Sequence, residues 1–254
     1  MKNKLLLLLF LLLLCNCSLA QLSQKQVNRA LFIGNSITEE NSLPYLFRKL
    51  CKANNIRFYT DEIIYPAASI SEQFYKKLSE EKGFLKINEL KTGELSPVQL
   101  KIQKYNWDVV ILQGADPIDY KNLKAIIAID SICTKKSIKK VFLFEMYNVI
   151  LFDSTERKRG LIDWEKTVIP TLSTTNCKLL PIGRLFDKSN NLFPDLELFP
   201  DNCHPSFAGS IIIASSLFYE LYGIMPDITC FNKDLTDQNI TAIINLLVYY
   251  YHAK

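Results

Sequence analysis

From residue 29 onward, short apolar runs alternate with amphipathic stretches, and few folds accept that alternation. Arg29–Ile33 is an apolar run stopped by Gly34, and Ile56–Tyr65 is rich in β-branched and aromatic residues. Trp107–Leu112 is an apolar run of the kind buried on both faces of a sheet, Lys140–Met146 repeats the pattern, and Lys178–Ile182 gives a fifth strand. Among the intervening segments, Leu43–Asn54 places Leu43, Leu46 and Leu50 at helical spacing, and Asn122–Thr134 is amphipathic. Arg157–Thr171, Ser206–Tyr222 and Asp237–His252 also read as helices. The polar stretch between Tyr65 and Trp107 reads as helical, and Gly183–Pro200 as irregular. The expectation is an α/β chain: a three-layer α/β/α sandwich around a central, mostly parallel five-stranded sheet.

Residues 1–20 stand apart from this pattern. Lys2 and Lys4 precede an unbroken apolar run from Leu5 to Leu14, and Ser18-Leu19-Ala20 supplies small residues suited to cleavage. This reads as a signal peptide and places the product outside the cytoplasm, periplasmic or extracellular. The run is too short to span a bilayer. Cys15 and Cys17 raise a lipoprotein anchor, but Leu14 and Asn16 precede them where a small residue is wanted. Without this segment residues 21–254 keep 28 basic and 26 acidic side chains, and no linker divides them. They are expected to form one domain with no stable membrane insertion after cleavage. The near-neutral balance, without a basic stripe, points away from nucleic acid.

Five cysteines lie beyond residue 20: Cys51, Cys133, Cys177, Cys203 and Cys230. Their wide spacing and odd number give neither a zinc knuckle nor a redox pair, and buried apolar thiols are the expectation, with or without one bridge.

Parallel sheets bind ligands at the carboxyl ends of their strands, and three segments carrying reactive groups fall there. Ser36, in Gly34-Asn35-Ser36, follows the first strand, and Gln113 follows the third. Asp201-Asn202-Cys203-His204-Pro205 follows the fifth. His204 is the sole histidine in the body of the chain, since His252 lies two residues from the end. A carboxylate three residues before an imidazole can face Nδ1 and leave Nε2 toward a nucleophile. Ser36 alone also fits a helix cap behind a glycine turn. Pro205 is expected at the first position of the following helix, where its missing N–H costs nothing.

These motifs resemble a known family. Ala30-Leu31-Phe32-Ile33-Gly34-Asn35-Ser36, together with Asp201-x-x-His204-Pro205-Ser206-x-x-Gly209-Ser210, is similar to the SGNH/GDSL hydrolases, in particular their secreted bacterial esterase-like branch. The resemblance implies a flavodoxin-like sheet, Ser36 as nucleophile, and His204 as general base and then acid, oriented by Asp201. It also implies an oxyanion hole made by the Ser36 N–H, a glycine N–H after the second strand and an asparagine after the third. Here the chain departs from the family. Tyr65-Pro66-Ala67-Ala68-Ser69 puts Ala67 where the glycine is expected, and Leu112-Gln113-Gly114-Ala115-Asp116 puts Gln113 where the asparagine is expected. An alanine N–H serves as well if its φ is negative, and Gln113 offers the same carboxamide on a longer stem.

The activity so implied is hydrolysis of carboxylic esters, with export favouring O-acetyl groups on carbohydrate and a lipid or lysophospholipid ester as the rival. A small-molecule or glycan ester is the expected partner. No metal and no organic cofactor is required. A non-catalytic binding module on a decayed hydrolase fold is the alternative of another class. A nucleotide-binding turn fits poorly because Gly34 lacks companion glycines, and Asp201, Cys203 and His204 supply no fourth metal ligand.

Overall fold

A computed structural model of the chain describes residues 29–81, 84–114, 119–145, 166–201 and 203–252. The signal-peptide reading of residues 1–20 lies outside the described residues, as do Met146 and much of the helix expected over 157–171.

Five strands form one sheet: β1 (Arg29–Gly34), β2 (Tyr59–Ile64), β5 (Val109–Leu112), β6 (Lys140–Phe144) and β7 (Cys177–Leu180). Their spatial order is β2-β1-β5-β6-β7, and every pairing is parallel. The chain thus runs from β1 outward to β2 and then crosses back to β5. That reversal is the switch point at which such sheets open a crevice above their carboxyl ends. Ser36 and Gln113 follow the two strands that flank it.

Alternate strand residues feed two cores. Ala30, Phe32, Val109, Ile111, Phe142 and Phe144 face α2 (Leu43–Ala53), α6 (Ile182–Leu192), α7 (Phe207–Tyr222) and α8 (Asp237–His252). Leu31, Ile33, Val110, Leu112, Val141 and Leu143 face α3 (Ile70–Tyr75), α4 (Pro97–Lys104) and α5 (Tyr120–Lys135), joined by Val168 and Leu172 from a helical stretch at 166–172. The central strands β1, β5 and β6 are buried and apolar on both sides because helices cover both faces, which gives the three-layer sandwich, while the edge strands β2 and β7 keep exposed polar residues.

Two segments differ from expectation. The polar stretch before Trp107 contains α3, α4 and an antiparallel hairpin of β3 (Lys76–Glu81) with β4 (Phe84–Glu89). Leu78, Leu85 and Ile87 share one face of the hairpin, of which Leu78 is buried, and the hairpin is tied down by Tyr65 Oη donating to the Leu78 carbonyl at 3.0 Å. Gly183–Pro200 is not irregular throughout, since α6 occupies its first half. Ile182, Leu185, Phe186 and Ser189 recur on one buried face, and Gly183, Asn190 and Asn191 mask that spacing.

Three cysteines, Cys51, Cys133 and Cys177, are buried and free, and burial holds their thiols protonated. No disulfide occurs among the described residues.

Candidate active site

Ser36 is the first residue of a single helical turn, α1 (Ser36–Glu39), directly behind β1. Asn35 caps that turn: its side chain accepts from the Ile37 N–H at 3.1 Å, and its carbonyl takes the N–H groups of Thr38 and Glu39. The Ser36 N–H has no acceptor among the described residues, and Ser36 itself is partly exposed. Gly34 is required here by packing, because a Cβ would stand 2.2 Å from Thr38 Oγ1 and 3.1 Å from Gln113 Oε1.

Two buried carboxamides grip the turn. Gln113 Oε1 accepts from the Asn35 N–H and from Thr38 Oγ1, both at 3.0 Å, while its Nε2 donates to the Gly114 carbonyl at 2.8 Å. An N–H can only donate and a carbonyl can only accept, so the amide orientation is fixed. Gln113 therefore turns its oxygen, rather than its nitrogen, toward the backbone of the Ser36 turn and keeps one N–H in reserve. From the other side Gln73 Nε2 donates to the Gly34 carbonyl at 3.0 Å. Gln73 lay hidden in the polar stretch, though its spacing from Ile70 and Phe74 marks it as part of a buried helical face.

Ala67 occupies the second central position of a Tyr65–Ala68 turn, closed by the Ala68 N–H on the Tyr65 carbonyl at 3.1 Å. Its φ is 59°, not negative as the sequence reading required. Pro66 before it and a positive φ at this position define a type II turn, which favours glycine there. Ala67 thus adopts the conformation of the glycine it replaces, at a cost of about 1 kcal/mol. Its N–H also lacks an acceptor among the described residues.

Asp201 and His204 form a tight couple. Asp201 Oδ2 lies 2.7 Å from His204 Nδ1, and Oδ1 accepts the N–H of His204 at 2.7 Å and of Cys203 at 2.9 Å. The hydrogen bond from the imidazole, then those from the two backbone N–H groups, hold the Asp201 carboxyl well below the usual carboxylate range. His204 Nε2 points away from Asp201 and lies 4.0 Å from Cys203 Sγ. Burial, then the Asp201 charge, raise the Cys203 thiol.

The loop continues differently from expectation at Pro205. The helix starts at Phe207, with Ser206 as its N-cap accepting from the Gly209 N–H at 3.1 Å, and Pro205 stands outside it. The serine's extended backbone and hydroxyl cap decide the boundary over the proline's preferred φ. Pro205 has a different use: Asn41 Nδ2 donates to its carbonyl at 2.9 Å and to Ser210 Oγ at 3.0 Å. Asn41 and Ser42 both have positive φ, a strained pair bridging α1 to α2. The structure thus ties the segment after Ser36 to the loop bearing His204. No hydrogen bond joins Ser36 to His204 among the described residues.

At the same sheet edge, the nearly fully buried Glu145, which directly follows β6, pairs with Arg184 Nη2 at 3.1 Å. Nothing in the sequence pattern marked this pair. No group of three or more metal-ligating side chains occurs among the described residues.

Three solved structures superpose on this architecture. LAE5, an α/β hydrolase from the metagenome of Lake Arreo, matches with a TM-score of 0.54 and 13% identity over 77% of this chain and 95% of its own. A variant of Axe2, an acetyl xylan esterase from Geobacillus stearothermophilus, gives 0.53 and 13% over 78% and 95%. Axe2 itself gives 0.50 and 17% over 78% and 97%. The chain has the SGNH/GDSL hydrolase fold. No family model and no curated protein matches the sequence. Within the SGNH fold the carboxyl edge of the sheet is where this chain has gathered its serine turn, its two carboxamides and its Asp–His couple. No helix among the described residues is long and apolar enough to cross a membrane.

Proposed function

We propose that the chain is an exported serine ester hydrolase acting on acetyl esters of carbohydrate. The observation that carries this reading is the Asp201–His204 couple at 2.7 Å, whose carboxylate is held by two further N–H groups at the sheet's carboxyl edge. A histidine fixed this way at Nδ1 is set up as a base at Nε2. Ser36 Oγ attacks the ester carbonyl carbon as its proton passes to His204 Nε2. The ionised Asp201 stabilises the imidazolium that forms. The N–H groups of Ser36 and Ala67 and the remaining N–H of Gln113 serve the oxyanion. Collapse of the tetrahedral adduct expels the alcohol, which takes the Nε2 proton, and water then releases acetate by the same steps in reverse order of groups. The match in fold to acetyl xylan esterases supports acetyl-glycan as the substrate class.

The lack of a hydrogen bond between Ser36 and His204 favours a second reading, a binding module without turnover. Catalytic hydrogen bonds are often loose before substrate arrives, so the hydrolase is preferred. Fluorophosphonate labelling separates the two. Adduct on Ser36, lost together with p-nitrophenyl acetate turnover in Ser36→Ala, is the expected result. Full turnover in Ser36→Ala would overturn the hydrolase reading.

A further inference from the structure

A cavity of about 420 Å³ opens beside the Ser36 turn, along the outer edge of the sheet, and no step above uses it. Glu39 of α1, Tyr45 and Arg48 of α2, and Thr60, Glu62 and Ile64 of β2 wall it. One end abuts the nucleophile turn. Ile64 is the register partner of Gly34, and Glu39 stands three residues after Ser36 on the same helical turn, roughly 5–6 Å away between Cβ atoms. The other end reaches Thr60, four residues back along β2, about 13 Å at strand rise. The volume falls within the roughly 300–1,000 Å³ range of small-molecule sites.

The lining is chemically unfinished. Asp61, at the rim, is already neutralised by Lys101 at 2.7 Å. By contrast the side chains of Glu39, Glu62 and Arg48 make no ion pair and no hydrogen bond among the described residues, although all three face one space. Partial burial, then the neighbouring Asp61 charge, push the Glu62 carboxyl up, with Lys101 and Arg48 opposing and Glu39 adding to the rise. Two carboxylates and a guanidinium that face one space without closing an ion pair suit a ligand carrying hydroxyls on adjacent carbons. Each hydroxyl can donate to a carboxylate and accept from the guanidinium. An anionic ligand would meet two carboxylates against one cation. Tyr45 supplies a flat wall: Arg48 lies over its ring at 5.5 Å, and the residue is 53% exposed.

We propose that this cleft holds an uncharged pyranose unit of the glycan, adjacent to the unit whose acetyl ester faces Ser36. The inference rests on the carbohydrate-esterase reading above and adds to it where the neighbouring sugar lies.

The test uses variants outside the reacting groups: Tyr45→Ala, Arg48→Met and Glu62→Gln. Binding is measured first, on Ser36→Ala protein, by saturation-transfer NMR with unacetylated xylotetraose, mannotetraose and cellotetraose. At least one is expected to bind, and Tyr45→Ala in the same background is expected to abolish transfer to it. Kinetics follow with the partly acetylated form of the tightest binder. Each variant should raise KM roughly tenfold with kcat held within about twofold, while kcat/KM for p-nitrophenyl acetate stays unchanged. Equal losses on both substrates, no loss on the glycan, or binding by none of the tetrasaccharides would overturn the cleft assignment. Absence of all esterase turnover would instead count against the hydrolase reading, and the binding measurement would still decide the cleft.

Discussion

Asp201 stands in the open, yet its carboxylate receives three N–H donors, and that explains its depressed pKa. A carboxyl that stays ionised to low pH cannot supply the acid limb of a pH–rate profile. In the mechanism proposed above, Asp201 therefore keeps its charge across the working pH range. Asp201→Asn keeps the shape but favours the wrong imidazole tautomer, and kcat is expected to drop by up to about 10⁴-fold. Stability follows the same linkage. The folded-state pKa lies below the unfolded value of about 3.9, so the stabilisation is present above that pH and lost as pH falls through the folded value. Melting temperatures of wild type and Asp201→Asn should differ at neutral pH and draw together as pH falls below about 4. A constant gap at every pH would place the effect elsewhere.

Cys203 carries the other residue-scale consequence, with its thiol 4.0 Å from His204 Nε2. Methylthiolation by methyl methanethiosulfonate would put a methyl disulfide against the nitrogen that must work. Treated wild-type enzyme should lose activity and regain it with dithiothreitol, whereas Cys203→Ala should stay active and insensitive. Continued sensitivity in Cys203→Ala would assign the effect to another cysteine. The Asp-x-x-His spacing made this couple legible in the sequence. The thiol contact was not legible, because it depends on loop dihedrals that neighbouring residue types leave free.

At the scale of elements, the turn between β1 and α1 is shaped from outside itself. Gln113, at the end of the next strand, satisfies the Asn35 N–H and the Thr38 hydroxyl, so it positions the nucleophile besides any oxyanion role. A pure oxyanion donor and a structural clamp predict different outcomes for Gln113→Ala. Loss of the donor alone costs roughly 10²-fold in kcat with stability intact. Loss of the clamp leaves two buried donors unpaired at about 1–3 kcal/mol each. We expect both: kcat down by at least about 10²-fold, and unfolding free energy by urea titration down by about 2–4 kcal/mol. Unchanged stability would remove the clamp from the account. The position of Gln113 was readable from Trp107–Leu112 ending in a polar residue. Which end of its amide meets Asn35 was not, since both orientations share one sequence. The β3–β4 hairpin escaped for a different reason: its apolar face, Leu78 with Leu85 and Ile87, is short and interrupted by Lys76, Glu80 and Glu89.

For the whole molecule, the central strands β1, β5 and β6 were legible because burial on both faces forces apolar runs, and the edge strands β2 and β7 were legible from β-branched, aromatic and apolar residues flanking them. Ala67 shows where that legibility stops. Nothing local announces a positive φ in an alanine; the turn's closing hydrogen bond and the strand before it impose that geometry. The link from Asn41 to Pro205 and Ser210 spans 164 and 169 residues of chain, and it crosses between the segments bearing Ser36 and His204. Such distant contacts form late, because loop closure must precede them. During refolding from urea, far-UV circular dichroism should recover before p-nitrophenyl acetate turnover does. Simultaneous recovery would mean that the link forms with the sheet. A chain made from its amino end therefore carries its serine for most of its synthesis with no imidazole beside it, and any acyl-transfer power is withheld until the segment bearing His204 has been released and docked.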